Sequence, residues 1–323
     1  MCTAITYQTN DHYFGRNLDL EYTYQESVVI TPRRYSLPFR KLPQLDVHYA
    51  MIGIATVANE YPLYYDATNE FGLSMAGLNF PGNAVYQKEK SDMDNVTAFE
   101  FIPWILGQCR SVVEAQQKLM QINMVDIPFS NAFPLSPLHW MISDRRESIV
   151  VEPLEDGLKI YQNPIGILTN NPPFDYHMYH LHNYLNLTHE EPTNRFTKQI
   201  DLPPYSRGMG AIGLPGDLSS SSRFVRAAFV KLNSKSNESE EESVHQFFHI
   251  LGAVEQQRGC VKVDDSYEVT VYSSCCNADK CIYYYKTYSN SQITAVHLFH
   301  EDLDCNKLVT YSLRTIPRIE EEN

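Results

Sequence analysis

Short apolar segments separated by polar turn residues dominate the chain, and this pattern predicts a protein rich in β-strands. Two pairs of segments flank polar turns and predict hairpins, namely 3–7 with 12–15 and 138–142 with 148–151. Two runs are apolar enough to lie inside a sheet, namely 27–31 and 51–57. A meander is predicted near the C-terminus from the segments 267–273, 281–288 and 292–299. Antiparallel pairing is therefore expected to dominate.

Helical periodicity is confined to fewer segments, and the first two lie in the middle of the chain. Residues 111–114 read SVVE, which matches a capping box, and apolar residues follow at helical spacing as far as Ile122. Residues 97–107 predict another helix, in which Pro103 lies in the first turn or causes a kink. Together these segments predict one helical block.

Two more helices are predicted in the C-terminal half. Residues 223–232 predict one helix that follows a serine-rich loop. Apolar residues at helical spacing over 244–254 predict the other, with Gly259 as its C-cap. Between them, the polar and acidic stretch 233–243 predicts a solvated loop.

The order of these elements predicts an α+β protein, with antiparallel sheets and helices packed outside them. Crossovers are too few for a doubly wound parallel sheet. No change in composition marks a linker, so we expect one domain over residues 1–323. A domain boundary in the His-, Asn- and Pro-rich stretch 172–207 remains an alternative.

Composition excludes several classes of function. Hydrophobic residues make up 43% and charged residues 20%, which is typical of a globular protein. The net charge of −13 argues against a nucleic-acid partner, because phosphate binding requires clustered Lys and Arg. No apolar run is long enough to predict a membrane span. The first residues turn polar too early for a signal peptide, so we expect a cytoplasmic protein.

Neither cysteines nor histidines form a convincing metal motif. The seven scattered cysteines are expected to be free thiols, and the group at 275, 276 and 281 lacks a C-x-x-C pair. Four histidines lie at 177, 180, 182 and 189, and we expect a solvated loop there rather than a zinc site. His245 and His249 are one helical turn apart, but Gln246 stands where an HExxH motif has glutamate.

Cys2 is the first candidate for chemistry. If an aminopeptidase removes Met1, Cys2 carries both a thiol and a free α-amino group. The thiolate is the reactive form, and an α-amino group titrates close enough to neutrality to accept the thiol proton. On this feature alone, a cysteine without a function at position 2 remains the commoner alternative.

A second candidate follows Cys2 by one predicted hairpin. If the strand continues to Asp19, then Arg16 and Asp19 point to opposite faces, and the hairpin returns both to the N-terminus. A guanidinium favours a neighbouring thiolate, and a carboxylate orients a neighbouring amine. The alternative is an ordinary surface ion pair.

Three further residues lie at turns. Asn79 and Asn170 each stand at a strand end before a proline-containing turn, where an amide can stabilise an oxyanion. Arg223 follows four serines at a helix start that could hold an anion. The alternative is that the asparagines are ordinary turn residues and the serines ordinary caps.

Taken together, the motifs resemble the choloylglycine hydrolase family nearly from end to end. The segments that carry the resemblance are MCTA at 1–4, FGRNLD at 14–19, AGLNFPG at 76–82, LTNNP at 168–172 and GLPGDLSSSSRF at 213–224. The resemblance implies an N-terminal nucleophile (Ntn) hydrolase, a four-layer αββα sandwich with two antiparallel sheets. It also implies removal of Met1, no metal or organic cofactor, and a homotetramer.

The resemblance further implies a reaction and a set of site residues. The substrates are expected to be glycine- or taurine-conjugated bile salts, whose amide bond is hydrolysed. Cys2 is the nucleophile and its α-amine the base. The supporting catalytic residues are Arg16, Asp19, Asn79, Asn170 and Arg223. The residues expected to line the substrate groove are Leu18, Tyr65, Phe129, Phe133 and Leu138.

Two other functions remain open from the sequence. One is hydrolysis of penicillin V or a related N-acyl amide, although Asn79 favours the bile salt branch of the family. The other is a steroid-binding protein without catalysis, against which the intact set Cys2, Arg16, Asp19 and Asn170 argues. Turnover of the different substrates distinguishes the three functions.

Overall fold

Two antiparallel sheets form the centre of the molecule, whose residues 1–323 are all described by the computed structural model. In chain order the strands are β1 (Cys2–Gln8), β2 (His12–Leu20), β3 (Ser27–Thr31), β4 (Met51–Ala58), β5 (Tyr61–Asn69), β6 (Ser74–Asn79), β7 (Asp94–Thr97), β8 (Ile122–Val125), β9 (Leu138–Ser143), β10 (Ser148–Leu154), β11 (Gly157–Gln162), β12 (Ile167–Leu168), β13 (Lys262–Val263), β14 (Ser266–Tyr267), β15 (Val269–Asn277), β16 (Ile282–Thr287), β17 (Asn290–His297) and β18 (Val309–Ser312). The helices are α1 (Phe101–Leu106), α2 (Val112–Leu119), α3 (Phe174–His180), α4 (Ser220–Asn233) and α5 (Glu240–Gly252).

The first sheet has six strands in the order β12-β1-β2-β15-β16-β17. The second has eight, in the order β11-β10-β9-β6-β5-β4-β3-β18. Two small pairs, β7 with β8 and β13 with β14, lie outside these sheets. Helices α4 and α5 pack on the first sheet, and α1 packs on the second. The layers are therefore helix, sheet, sheet and helix.

Strand β4 shows why the sequence has so many unbroken apolar runs. Ile52 and Ile54 join the core that includes the first sheet, α4 and α5. Met51 and Ala55 join the other core, which includes α1 and α2. Because side chains alternate along a strand and both faces are covered here, the consecutive residues 51–55 are all non-polar.

Most predicted elements are confirmed. Both predicted hairpins and the C-terminal meander are present, and the apolar runs 27–31 and 51–57 form β3 and β4 inside the second sheet. The cap of α2 is also confirmed, because the Ser111 hydroxyl accepts a hydrogen bond from the Glu114 N–H at 3.3 Å. The Glu114 carboxylate, however, accepts from the N–H of Arg110 rather than from that of Ser111. No helix of the structure is both long and apolar enough to cross a membrane.

Several expectations are wrong in their bounds. The helix expected over 97–107 spans only Phe101–Leu106, because Thr97 ends β7, and α2 ends at Leu119, because Ile122 begins β8. The last helix ends at Gly252 with Ala253 as its C-cap, so Gly259 lies beyond it and caps nothing. The predicted loop 233–243 is shorter, because α5 already begins at Glu240 behind the Ser239 cap. The stretch 172–207 contains α3, whose aromatic and histidine residues carry little helix propensity.

Gly15 of β2 is the position where the first sheet tolerates no side chain. A Cβ there would lie 2.0 Å from the carbonyl oxygen of Ser274 in the adjacent β15. We expect Gly15→Ala to lower the free energy of unfolding by about 3 kcal/mol. Urea unfolding checks this. Gly252→Ala is the matched control, because no atom lies within 4 Å of its Cβ position. An equal loss in both variants would contradict the close-approach explanation.

Candidate active site

Cys2 begins β1 and lies between the sheet and a groove. Its side chain is buried, and its strand pairs with β2, where Cys2 faces Leu18. The backbone N–H of Cys2 donates to Asn170 Oδ1 at 2.7 Å. Its carbonyl oxygen accepts from Arg223 Nη1 at 2.6 Å. The backbone on both sides of the thiol is therefore held by side chains distant in sequence.

Asn170 is the centre of this hydrogen-bond network. Besides the Cys2 N–H, its Oδ1 accepts from Arg223 Nη2 at 2.8 Å. Its Nδ2 donates to the carbonyl oxygen of Asn79 at 2.7 Å. Its backbone N–H donates to the hydroxyl of Ser220 at 2.9 Å. Donors surround Oδ1 and an acceptor faces Nδ2, so these hydrogen bonds determine the orientation of the Asn170 amide, with its oxygen towards Cys2.

Arg223 lies in the first turns of α4 and is completely buried. It also donates to the Thr3 hydroxyl at 2.6 Å and, through Nε, to the Leu218 carbonyl at 3.1 Å. Burial lowers the pKa of Arg223, while the Asp19 carboxylate raises it. The Arg223 guanidinium thus links α4 to the loop at Leu218 and to β1.

Arg16 and Asp19 lie on opposite faces of β2, as the alternation predicted, and the surface ion pair alternative is wrong because both are completely buried. Arg16 Nη1 donates to the carbonyl of Tyr65 at 3.0 Å in the second sheet. Its Nη2 has no protein partner although it is buried. Asp19 Oδ1 accepts from the hydroxyl of Thr270 at 2.6 Å.

The pKa values of Asp19 and Arg16 reflect both burial and the charges around the N-terminus. Burial raises the pKa of Asp19, while Arg223 and the N-terminal ammonium lower it. Burial lowers the pKa of Arg16, but Cys2 and neighbouring acidic groups raise it by more, so the guanidinium stays charged. A fixed positive charge therefore lies beside Cys2.

Met1 precedes this arrangement and extends β1 along Asp19. The Met1 ammonium donates to the carbonyl oxygen of Asp19 at 2.9 Å, and the Asp19 N–H donates to the Met1 carbonyl at 3.0 Å. The same ammonium pairs with the carboxylate of Glu268, which is buried. Glu268 lies between β14 and β15, and no pattern in the polar sequence around it predicts that it is buried.

A groove of about 380 Å³ opens beside Cys2, and that volume is sufficient for a small-molecule ligand. Arg16 and Asn79 line it together with Cys2, whereas Asp19, Asn170 and Arg223 lie behind. All five expected substrate residues contribute to its wall: Leu18, Tyr65, Phe129, Phe133 and Leu138. Tyr22 and Tyr24 extend the aromatic surface. An apolar ligand in this groove would present one end to the thiol.

His177 was expected in a solvated loop, and that expectation is wrong. It lies in α3, is completely buried, and its Nε2 donates to the carbonyl of Asn170 at 2.9 Å. His182 and His189 are exposed, and no three metal-binding side chains lie close enough to share an ion. Helical spacing of Phe174 and His177 was the available signal, because positions three apart share a face.

The pH dependence of stability should reveal the burial of His177. Burial lowers its pKa from the usual 6.5 to about 4. The unfolded chain therefore takes up this proton near pH 6.5, whereas the folded chain takes it up only near pH 4, so stability falls as pH falls through that interval. Between pH 7 and 5 we expect the wild type to lose about 2 kcal/mol more than His177→Gln.

Urea unfolding at the two pH values measures this difference. His182→Gln is the control, because His182 is exposed, and its loss should equal that of the wild type. An equal loss in wild type and His177→Gln would mean that the buried ring already carries the proton at pH 5.

The chain is similar along nearly its whole length to characterised hydrolases. A family model described as linear amide C–N hydrolases, choloylglycine hydrolase family, matches residues 2–311. The bile salt hydrolase/transferase of Lactiplantibacillus plantarum is 58% identical over 98% of both chains. The bile salt hydrolase/transferase of Clostridium perfringens is 39% identical over 96% of both chains.

Solved structures agree with the layered architecture. A conjugated bile acid hydrolase from Clostridium perfringens matches with a TM-score of 0.93 at 38% identity, over 100% of both chains. Penicillin V acylase from Agrobacterium tumefaciens matches with a TM-score of 0.76 at 18% identity, over 96% of this chain and 91% of the other. At that identity the second likeness establishes only a common fold. The predicted four-layer αββα sandwich is confirmed.

Proposed function

The chain belongs to the choloylglycine hydrolase family, whose members hydrolyse linear amides, and from this membership we propose that it cleaves glycine- and taurine-conjugated bile salts. The observation that carries the proposal is the 58% identity over 98% of the chain to a bile salt hydrolase/transferase. The aromatic groove beside Cys2 supports it, because a steroid needs an extended apolar wall.

Removal of Met1 provides the base in this proposal. The nitrogen of Cys2 then becomes an α-amine, and it already lies 2.7 Å from Asn170 Oδ1. The two backbone hydrogen bonds between Asp19 and Met1 are lost with Met1, and Asp19 then contributes a buried carboxylate whose charge interacts with the N-terminal ammonium. No histidine lines the groove, which agrees with an amine as the base.

The reaction proceeds in two steps. The Cys2 thiol gives its proton to the α-amine, and the sulfur attacks the amide carbonyl carbon while the Asn79 amide stabilises the oxyanion. The α-ammonium then protonates the departing glycine or taurine nitrogen as the carbon–nitrogen bond breaks. Water gives a proton to the same amine, attacks the thioester carbon, and releases the bile acid as the carbon–sulfur bond breaks.

The residues around Cys2 have separate roles in this scheme. Arg16, whose Nη2 is free of protein partners and which lines the groove with Cys2, stabilises the thiolate. Arg223 and Asn170 hold the backbone of Cys2 and orient its nitrogen. Asn79 lines the groove and contributes to the oxyanion site. Leu18, Tyr65, Phe129, Phe133 and Leu138 contact the steroid.

An amine-release assay tests the proposal with glycocholate and taurocholate, and penicillin V serves as the competing substrate. We expect kcat/KM to be at least about tenfold higher for a bile salt than for penicillin V, because a steroid places more apolar surface against the hydrophobic groove wall than an aromatic acyl group does. A higher value for penicillin V would favour the acylase. Binding of bile salts without amine release would favour a steroid-binding protein, and retained Met1 in the mass spectrum would remove the base.

We further propose that the chain forms one domain and assembles as a homotetramer in the bacterial cytoplasm. Support for one domain is that β2 of the first sheet and β6 of the second both contribute to the groove. Exposed apolar residues on the segment 185–205 offer surface for contacts between copies, namely Leu185, Phe196 and Tyr205. Free cysteines agree with a reducing compartment. Light scattering after size exclusion measures the oligomer.

A further inference from the structure

Two completely buried histidines hold the backbone of the segment that carries Asn170. His139 Nε2 donates to the carbonyl of Thr169 at 2.8 Å, and His177 Nε2 donates to the carbonyl of Asn170 at 2.9 Å. Neither ring lines the groove. Consecutive carbonyls are thus fixed from two different elements, β9 and α3.

Each histidine also stacks on the residue that follows another site residue. His139 stacks on Phe80 with ring centroids 4.1 Å apart and planes 7° apart, and Phe80 follows Asn79. His177 stacks on Phe224 at 4.7 Å and 16°, and Phe224 follows Arg223. Through these contacts the two rings connect Asn79, Asn170 and Arg223, which lie near Cys2 but come from distant parts of the chain.

Glu152 fixes the ring of His139. Its Oε1 lies 3.0 Å from His139 Nδ1 and also accepts from the N–H of Phe174 at 3.1 Å, and it is completely buried. His139 faces the Thr169 carbonyl on its other nitrogen, so two acceptors flank one ring. These contacts on both nitrogens fix the orientation of the His139 ring.

We propose that His139 and His177 are positioning residues for the amide hydrolysis. They hold residues 169–170 so that the Asn170 amide keeps its acceptor on the Cys2 nitrogen and its donor on the Asn79 carbonyl. Backbone carbonyls fixed at two successive positions prevent the peptide from rotating, and rotation would move the amide by about 1 Å, enough to slow catalysis strongly. This inference rests on the proposed function of Cys2 and deepens it.

His177→Phe tests the proposal, because phenylalanine keeps the stack on Phe224 and removes the hydrogen bond to Asn170. We expect kcat to fall about tenfold or more and KM to change less than about twofold, since the groove is untouched. His177→Gln places an amide where Nε2 was and should recover most of kcat. His182→Phe, at an exposed position, should retain wild-type kcat.

A second measurement does not require a substrate. The pH dependence of Cys2 alkylation by iodoacetamide reports the thiolate, which the neighbouring ammonium stabilises. With Asn170 displaced, the ammonium loses its acceptor, so the alkylation midpoint should shift upwards in His177→Phe and return in His177→Gln. A wild type that alkylates normally but hydrolyses no bile salt would refute the proposed function and leave this test intact.

Two outcomes would overturn the positioning role. One is unchanged kcat and an unchanged alkylation midpoint in folded His177→Phe. The other is an equal loss in the Phe and Gln variants, which indicates packing alone. If the Phe variant does not fold, His177→Asn replaces it, because its shorter amide reaches only to the Nδ1 position, which has no partner. His139→Gln, which retains a donor for Thr169, should likewise exceed His139→Asn in kcat.

Discussion

Replacing Cys2 with serine is expected to lower kcat by about 1,000-fold or more while the fold persists. A serine hydroxyl is a far weaker nucleophile than a thiolate, although the same α-amine could still act on it. The side chains are close in size, and Cys2 is only 2% exposed, so the core stays filled. The rate of amine release from glycocholate measures the loss, and circular dichroism checks the fold.

Cys260→Ser is the matched control for this prediction. Cys260 is an exposed free thiol outside the groove, so its substitution is expected to leave kcat unchanged. Full activity in Cys2→Ser would show that another group attacks the amide. Equal losses in both variants would point to an effect on the protein preparation rather than on the nucleophile.

Asn170→Ala is expected to lower kcat by about 100- to 1,000-fold. The amide connects the Cys2 nitrogen, Arg223 and the Asn79 carbonyl, so truncation removes three hydrogen bonds together. It also leaves the buried Arg223 with one acceptor fewer, and we expect the free energy of unfolding to fall by about 2 kcal/mol. Steady-state kinetics and urea unfolding measure the two effects.

Asn170→Asp separates the two ends of the amide. A carboxylate retains the acceptor for Cys2 and Arg223 but loses the donor to Asn79, so kcat should lie between those of the alanine variant and the wild type. Asn171→Ala is the control, because the Asn171 side chain donates to the carbonyl of Pro81 instead. If the alanine and aspartate variants of Asn170 were equally active, the acceptor towards Cys2 would have no importance.

Local patterns predicted the elements that depend on neighbours in sequence. The hairpin of β1 and β2 needs only alternation and a polar turn, and the same alternation placed Arg16 and Asp19 on opposite faces. The cap of α2 follows from four consecutive residues. The prediction that Gly259 caps the last helix was wrong, because α5 already ends at Gly252 with Ala253 as its C-cap.

Residue type and position marked each member of the candidate site as one of two alternatives, and only the resemblance of motifs joined these residues into one set. Separations of 168 residues between Cys2 and Asn170, and of 53 between Asn170 and Arg223, exceed anything that periodicity describes. Their approach depends on β12 pairing with β1 and on α4 packing against the same strand. Nothing local in either segment specifies those contacts.

The sequence by itself determined which residues alternate, which carry chemistry and which faces are apolar, since these depend on side-chain identity and strand or helix period. Tertiary structure alone decided that His177 is buried instead of solvated and that His139, Glu152 and Phe80 lie beside the Asn170 segment. The physical reason is that burial and hydrogen-bond partners depend on which layers meet. Four layers folded from distant segments bring together side chains that lie far apart along the chain.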